Sequence, residues 1–147
     1  MADGKEEIKI RAHKASNTLI IPRNTNYAKP IVHRVNVIAG INSRILEHIS
    51  IEGNLELGKA ARVMGNVKAN DVTLGPSSLI MGDLTVNGDL LALDNAKVAG
   101  RVTCAGSATT RPGVAFGSFE SPGMIEVHGK KPAKNIKAKV VVKKEDK

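Results

Sequence analysis

The sequence predicts an all-β chain built around one three-faced parallel β-helix, and three observations predict it. A short glycine-containing unit recurs through the middle of the chain. Its glycines fall close to multiples of six residues apart. Large aromatic side chains are almost absent, at 2% of 147 residues: Tyr27, Phe116 and Phe119, with no Trp. Aromatic rings supply much of the buried area of ordinary globular cores. A chain without them must fill its core with Val, Ile, Leu and Ala, which suits a narrow space lined by short stacked strands.

The repeat is aliphatic-x-Gly-x-aliphatic, and internal repeats precede any other reading of a sequence. It occurs as Ile51-Glu-Gly53-Asn-Leu55, Val63-Met-Gly65-Asn-Val67, Ile80-Met-Gly82-Asp-Leu84, Val86-Asn-Gly88-Asp-Leu90 and Val98-Ala-Gly100-Arg-Val102. Successive glycines are 12, 17, 6 and 12 residues apart. One strand of a few residues plus a corner takes about six residues, so three faces close a coil of about 18, stacked at roughly 4.8 Å. Ile51, Leu55, Val63, Val67, Ile80, Leu84, Val86, Leu90, Val98 and Val102 are then the inward columns. Gly53, Gly65, Gly82, Gly88 and Gly100 are the corners, where glycine adopts conformations that a Cβ disfavours.

Between the glycine units lie plain alternations, Leu55-Glu-Leu57, Val72-Thr-Leu74 and Leu91-Ala-Leu93, which read as further faces. Gly75-Pro-Ser-Ser78 and Asp94-Asn-Ala96 read as turns. An antiparallel sandwich or barrel competes, since isolated glycine also marks bulges and Asn87-Gly88 is a hairpin signal. The arms beside Asn87-Gly88 are short for a hairpin. A helical middle is disfavoured by the recurrent glycine and by β-branched residues without a 3.6-residue period.

Charge divides the chain into three. Residues 1–34 carry net +4, residues 35–128 net −2 and residues 129–147 net +6. The first segment is expected to be basic and partly extended, with Ile8-Lys-Ile10 and Thr18-Leu-Ile-Ile21 as short strands. Pro22 to Pro30 reads as polar turn, and Ile31 to Ile38 as the lead into the first coil. Residues 35–128 form the β-helix, about five coils. Residues 129–147, lysine-rich around Val140-Val-Val142, read as a flexible tail.

The succession from Ile51-Glu-Gly53-Asn-Leu55 through Asp71-Val-Thr-Leu-Gly75 to Val98-Ala-Gly100-Arg-Val102, followed by a Gly- and Phe-containing end, resembles the central repeats of the bactofilins, polymer-forming cytoskeletal proteins. The resemblance runs from about Val35 to Phe119. It implies a right-handed β-helix, and filaments that assemble end to end without nucleotide and serve as a scaffold. Some members reach a membrane through an apolar N-terminal tail; Met1 to Arg11 here is charged. The alternative function is a β-helical adaptor or small oligomer that binds an anionic or protein partner through its basic tails.

Chemistry finds little foothold. The histidines, His13, His33, His48 and His128, have no ligand spacing, so no metal site is expected. Trimeric left-handed β-helix enzymes carry strict consecutive hexapeptides, and here the hexads are interrupted. Cys104 continues the inward pattern of Val98 and Val102 and reads as a buried structural thiol. No loop has the spacing that cradles phosphate. The chain is therefore expected to be no enzyme, with no catalytic residues and no cofactor. Gly82-Asp83 and Gly88-Asp89 lack the nine-residue calcium repeat and read as solvated corners.

The expected partner is the chain itself, as a homopolymer, with other scaffolded proteins beside it. Anionic lipid or nucleic acid at the tails is not favoured: the lysine-rich tail reads as a solubilising, self-repelling segment, and for nucleic acid no aromatic side chains interleave with the lysines. Phe116 and Phe119, beyond the last clear repeat, are the candidate polymerisation interface, with at least one ring expected along the stack or outward. The chain has one cysteine, no apolar run long enough to span a bilayer and no apolar h-region near Met1. A cytoplasmic location is expected, with membrane association left open.

Overall fold

The computed structural model describes residues 11–13 and 18–144. The expected strand Ile8-Lys-Ile10 lies outside them. The described chain is a parallel β-solenoid of about seven turns, without helix.

β1 (Arg11–His13) precedes the coils. The first coil holds β2 (Thr18–Ile21), β3 (Asn26–Tyr27) and β4 (Ile31–His33). The second holds β5 (Asn36–Ala39), β6 (Arg44–Ile45) and β7 (Ile49–Ile51), and the third β8 (Leu55–Leu57), β9 (Arg62–Val63) and β10 (Val67–Ala69). Then follow β11 (Val72–Leu74), β12 (Leu79–Ile80) and β13 (Leu84–Val86), and next β14 (Leu90–Ala92) with β15 (Lys97–Cys104). The last two turns are β16 (Ala108–Thr110) with β17 (Ala115–His128), and β18 (Ile136–Lys144). The longer strands β15, β17 and β18 run across corners, with register shifts at residues 98–101 in β15 and 121–124 in β17.

Each strand pairs in parallel with the strand one coil later. The first face stacks β2, β5, β8, β11, β14, β16 and residues 125–127 of β17. The second stacks β3, β6, β9, β12 and the starts of β15 and β17. The third stacks β4, β7, β10, β13, residues 102–104 of β15 and 119–120 of β17, and the start of β18.

Alternation sets the core. In Ile49–Ile51, Leu55–Leu57 and Val67–Ala69 the outer residues are buried and the middle one is exposed. All ten residues assigned above to inward columns are buried. One inward column is short-chained: Ser43, Ala61, Ser78 and Ala96 succeed one another behind the second face, all buried.

Four expectations are corrected. The solenoid has about seven turns, not five, because both flanking segments enter it. The segment Pro22 to Pro30 contains β3, which pairs with β6, so coiling begins at Thr18 and not at residue 35. Residues 129–144 are also structured: β18 pairs along nearly the whole of its length with β17. Charge hid this strand. Lys137 and Lys139 point outward while Ile136 and Ala138, between and beside them, are half-buried and pack on the core.

The fourth correction concerns glycine. None of Gly53, Gly65, Gly82, Gly88 and Gly100 has a positive φ. They sit at corners because neighbouring coils approach too closely for a side chain. A Cβ on Gly82 would lie 2.7 Å from the Gly65 carbonyl oxygen, and one on Gly100 2.7 Å from that of Gly82. Left-handed backbone occurs instead at a different corner, in the column Asn24, Asn42, Ala60, Ser77, Asn95 and Gly113, and again at Gly129 beside Pro112. Asn and Gly tolerate that conformation best, which is why that column carries turn residues instead of the repeat.

Candidate functional site

A solenoid's distinctive chemistry lies at its two ends, where backbone groups of the terminal coils lack a following coil. At the N-terminal end β1 lies antiparallel along β2, pairing Arg11 with Ile20, Ala12 with Leu19 and His13 with Thr18. It occupies the outer edge of the first face. The outer edges of β3 and β4 have no strand partner among the described residues. Ile21 and Ile31 of this coil are buried.

The C-terminal end is barer. One edge of β18 pairs with β17; the other has no strand partner among the described residues. Register places Val141 over Ile125 and Lys143 over Val127. Ile125 and Val127 are fully buried inward residues, so Val141 and Lys143 are the last members of two core columns. Among the described residues no coil lies above them, and Val141 is 48% exposed, with Val140 beside it 46%. The end face is thus an open nine-residue strand edge with one apolar column exposed and one closed by an ammonium group.

Phe116 and Phe119 do not form this end face. They are 6% and 1% exposed, and their rings stack on each other inside the solenoid. The corner at Gly117 turns the chain between them, so both point inward from different faces although they are three residues apart. The last coil covers them: the Phe116 N–H donates to the Pro132 carbonyl at 2.7 Å and that of Phe119 to Asn135 at 3.0 Å. The expectation of an outward or axial ring is corrected on this geometry. Strand period two predicts opposite sides only for an unbroken strand.

Asn and Asp side chains at two corners do work the sequence reading missed. Asn36, Asn54, Asp71 and Asp89 each accept, through Oδ1, a backbone N–H from the next coil: Asn54 at 2.8 Å, Asp71 at 3.1 Å, Asp89 at 2.8 Å and Ser107 at 2.9 Å. A second ladder runs from His48 Nδ1 to Asn66 N–H (2.9 Å), Asn66 to Asp83 (2.9 Å) and Asp83 to Arg101 (2.8 Å). These bonds close the corners where regular pairing is interrupted. The signal in the sequence was the Gly-Asn or Gly-Asp dipeptide, read above as a solvated corner. The missing Cβ makes room for the side chain reaching up from the coil below.

The remaining candidates are structural in their contacts. Cys104 is fully buried; burial pushes its thiol up to about 11, so it stays protonated at neutral pH. Its Sγ lies 3.4 Å from the Gly88 carbonyl oxygen. His48 accepts a backbone bond, which places its proton on Nε2. His128 Nε2 lies 2.7 Å from Glu126 Oε2 and its Nδ1 3.3 Å from an Arg111 nitrogen. A ring protonated on Nε2 satisfies both. The side chains of His13 and His33 lie outside the described set. The hydrogen bond from His128, with Lys144 nearby, holds the Glu126 carboxyl below its ordinary value of 4.5. Among the described residues no three His, Cys, Asp or Glu side chains cluster as a metal site would require. No described helix is long and apolar enough to cross a membrane.

No protein-family model, curated protein or solved structure matches this chain.

Proposed function

We propose that this protein is a bactofilin-like structural element, a solenoid unit that joins end to end into nucleotide-independent filaments and serves as a scaffold. The observation that carries this reading is the C-terminal end face. Its strand edge is open over nine residues, and the inward column ends in a half-exposed valine, Val141. Monomeric solenoids close their ends with polar caps, and β18 closes only one of its two columns with charge. The repeat's resemblance to the bactofilins and the parallel stack itself support the same reading.

Two copies meeting through their C-terminal ends make a two-fold contact, and the partly open N-terminal edges of β3 and β4 supply a second. Alternating two-fold contacts of this kind extend without limit and give a filament lacking polarity. Electron microscopy of the purified protein without nucleotide tests the proposal. Long filaments of one solenoid's width support it. A stable dimer means that only one end associates. A defined small oligomer favours the adaptor reading, and assembly that waits for added ATP or GTP overturns the nucleotide-independent one.

A further inference from the structure

The second face concentrates positive charge that the sequence distributed without evident pattern. Register aligns its outward residues in one column: Asn26, Arg44, Arg62, Leu79, Lys97 and Ala115. No acidic residue lies on the second-face stretches of these strands. At the corner leading into the face, Arg23 and Lys59 are exposed, and Lys130 and Lys131 follow Gly129 at the same corner. The acid there, Asp94, is engaged with Arg111 at 3.6 Å. Of the other acids, Glu56 and Glu126 stand on the first face, Glu120 on the third, Glu52 lies against Arg34 at 2.9 Å, and Asp71, Asp83 and Asp89 accept corner N–H groups, while Glu47, exposed, follows Leu46 at the edge of this face. Among the described residues no carboxylate pairs with Arg44, Arg62 or Lys97.

Beside this column runs an apolar ridge. Leu46, Met64 and Met81 leave the second face at successive coils, each N–H bonded to the coil before, to Tyr27, Ile45 and Val63. They are 42%, 37% and 48% exposed. Exposed apolar side chains in contiguous array mark a contact surface, whereas scattered ones do not. Arg44, Arg62 and Lys97 with this ridge form a strip about 14 Å long, across the four strands β6, β9, β12 and β15 at the inter-strand spacing.

We infer that the second face is a docking surface for an anionic lipid bilayer. Long basic side chains extend their charge to phosphate headgroups while their stems lie along apolar surface. Leu and Met reach the headgroup–acyl boundary. A flat partner carrying negative charge everywhere matches a straight basic strip. Nucleic acid is the weaker match, because it supplies no apolar partner for the ridge and the strip offers no exposed aromatic side chain for bases to stack on. The inference stands whether or not the protein forms filaments; repetition along a filament would multiply the contacts.

The test is flotation of the full chain with phosphatidylcholine vesicles, with and without phosphatidylglycerol. Binding is expected only with phosphatidylglycerol, and is expected to fall with salt. The variant Arg44→Glu/Arg62→Glu/Lys97→Glu is expected to lose on the order of a hundredfold in affinity or more. The charge-matched control Lys68→Glu/Arg101→Glu/Lys137→Glu, away from the second face, is expected to bind nearly as the native chain. Leu46→Ser/Met64→Ser/Met81→Ser is expected to weaken vesicle binding while leaving capture of a single-stranded oligonucleotide unchanged. Circular dichroism reports folding throughout, and Arg62→Gln/Lys97→Gln, a milder pair, replaces the triple reversal if that variant fails to fold. Native-like binding by the second-face variants overturns the inference. So does an equal loss in the control, which would make net charge sufficient. Preference for the oligonucleotide, with vesicle binding indifferent to the ridge, overturns it in favour of nucleic acid.

Discussion

The rings of Phe116 and Phe119 stack with centroids 6.1 Å apart and planes inclined by 20°, on the inside of a corner and beneath the last coil. This pair gives the C-terminal turns the only large aromatic contact of the solenoid, where Ala108 and Ala133 leave the wall thin. Phe119→Ala is expected to cost about 3–5 kcal/mol and Phe116→Ala somewhat less, read as lowered denaturant midpoints. An Arg at either place buries a charge and is expected to unfold the terminal coils. Retained stability in both Ala variants would mean that the pair is dispensable to the core.

The end face makes opposite predictions for two neighbouring residues. Val141→Asp puts a carboxylate on the exposed column and is expected to shorten or abolish assemblies without loss of β-rich circular dichroism. Lys143→Val removes the charge that closes the other column and is expected to lengthen them or lower the concentration at which they form. Sedimentation velocity measures both. Unchanged assembly in the two variants would place the contact away from this end.

Ser78 sits between Ala61 and Ala96 in its column, fully enclosed, and its Oγ has no hydrogen-bond partner. Ser43, two coils earlier, donates to the Gly40 carbonyl at 2.7 Å. Burying an unmatched hydroxyl is costly, so Ser78→Ala is expected to stabilise the protein by about 1 kcal/mol. Ser43→Ala is expected to destabilise it by a similar amount. Thermal melts of the two variants should move in opposite directions.

Glu126 ties acid sensitivity to the last turns. Its folded-state value is lowered, chiefly by the bond to His128, so its contribution is present above the unfolded value of 4.5 and fades as pH falls through the lower folded value. Glu126→Gln is expected to be less stable than the native chain at neutral pH, with the difference narrowing below pH 4.5. A difference that stays constant down to strongly acidic pH would show that the carboxylate's charge is not what matters.

The sequence revealed the stack because inward residues and corner glycines repeat at the coil's own period. Every inward position named from Ile51 to Val102 is buried. The same logic failed where polar composition masked period two. Thr18–Ile21 was read as a strand but not as part of a coil, and Asn26–Tyr27 was read as turn, because both lack the repeat's glycine; Ile136–Lys144 alternates apolar residues with lysines whose charge suggested solvation. The interface assigned to Phe116 and Phe119 misread scarcity as exposure. A corner can turn residues of opposite strand parity to the same interior, and only the position of Gly117 encodes it. The column of basic residues on the second face was invisible because Arg44, Arg62 and Lys97 are 18 and 35 residues apart in a sequence whose overall charge sits at its ends.

Hydrogen bonds between coils run along the solenoid's long axis, while the strands lie across it. Bending the body therefore stretches the bonds of whichever face lies on the outside of the curve and compresses the other two. With three faces paired almost from end to end, no direction is free of such bonds. The molecule should resist flexure about equally in all directions, as a short strut does, and an object built by adding such units in line would inherit that stiffness at every point except its joints. Where such an assembly curves, the curvature should be concentrated at the junctions between subunits.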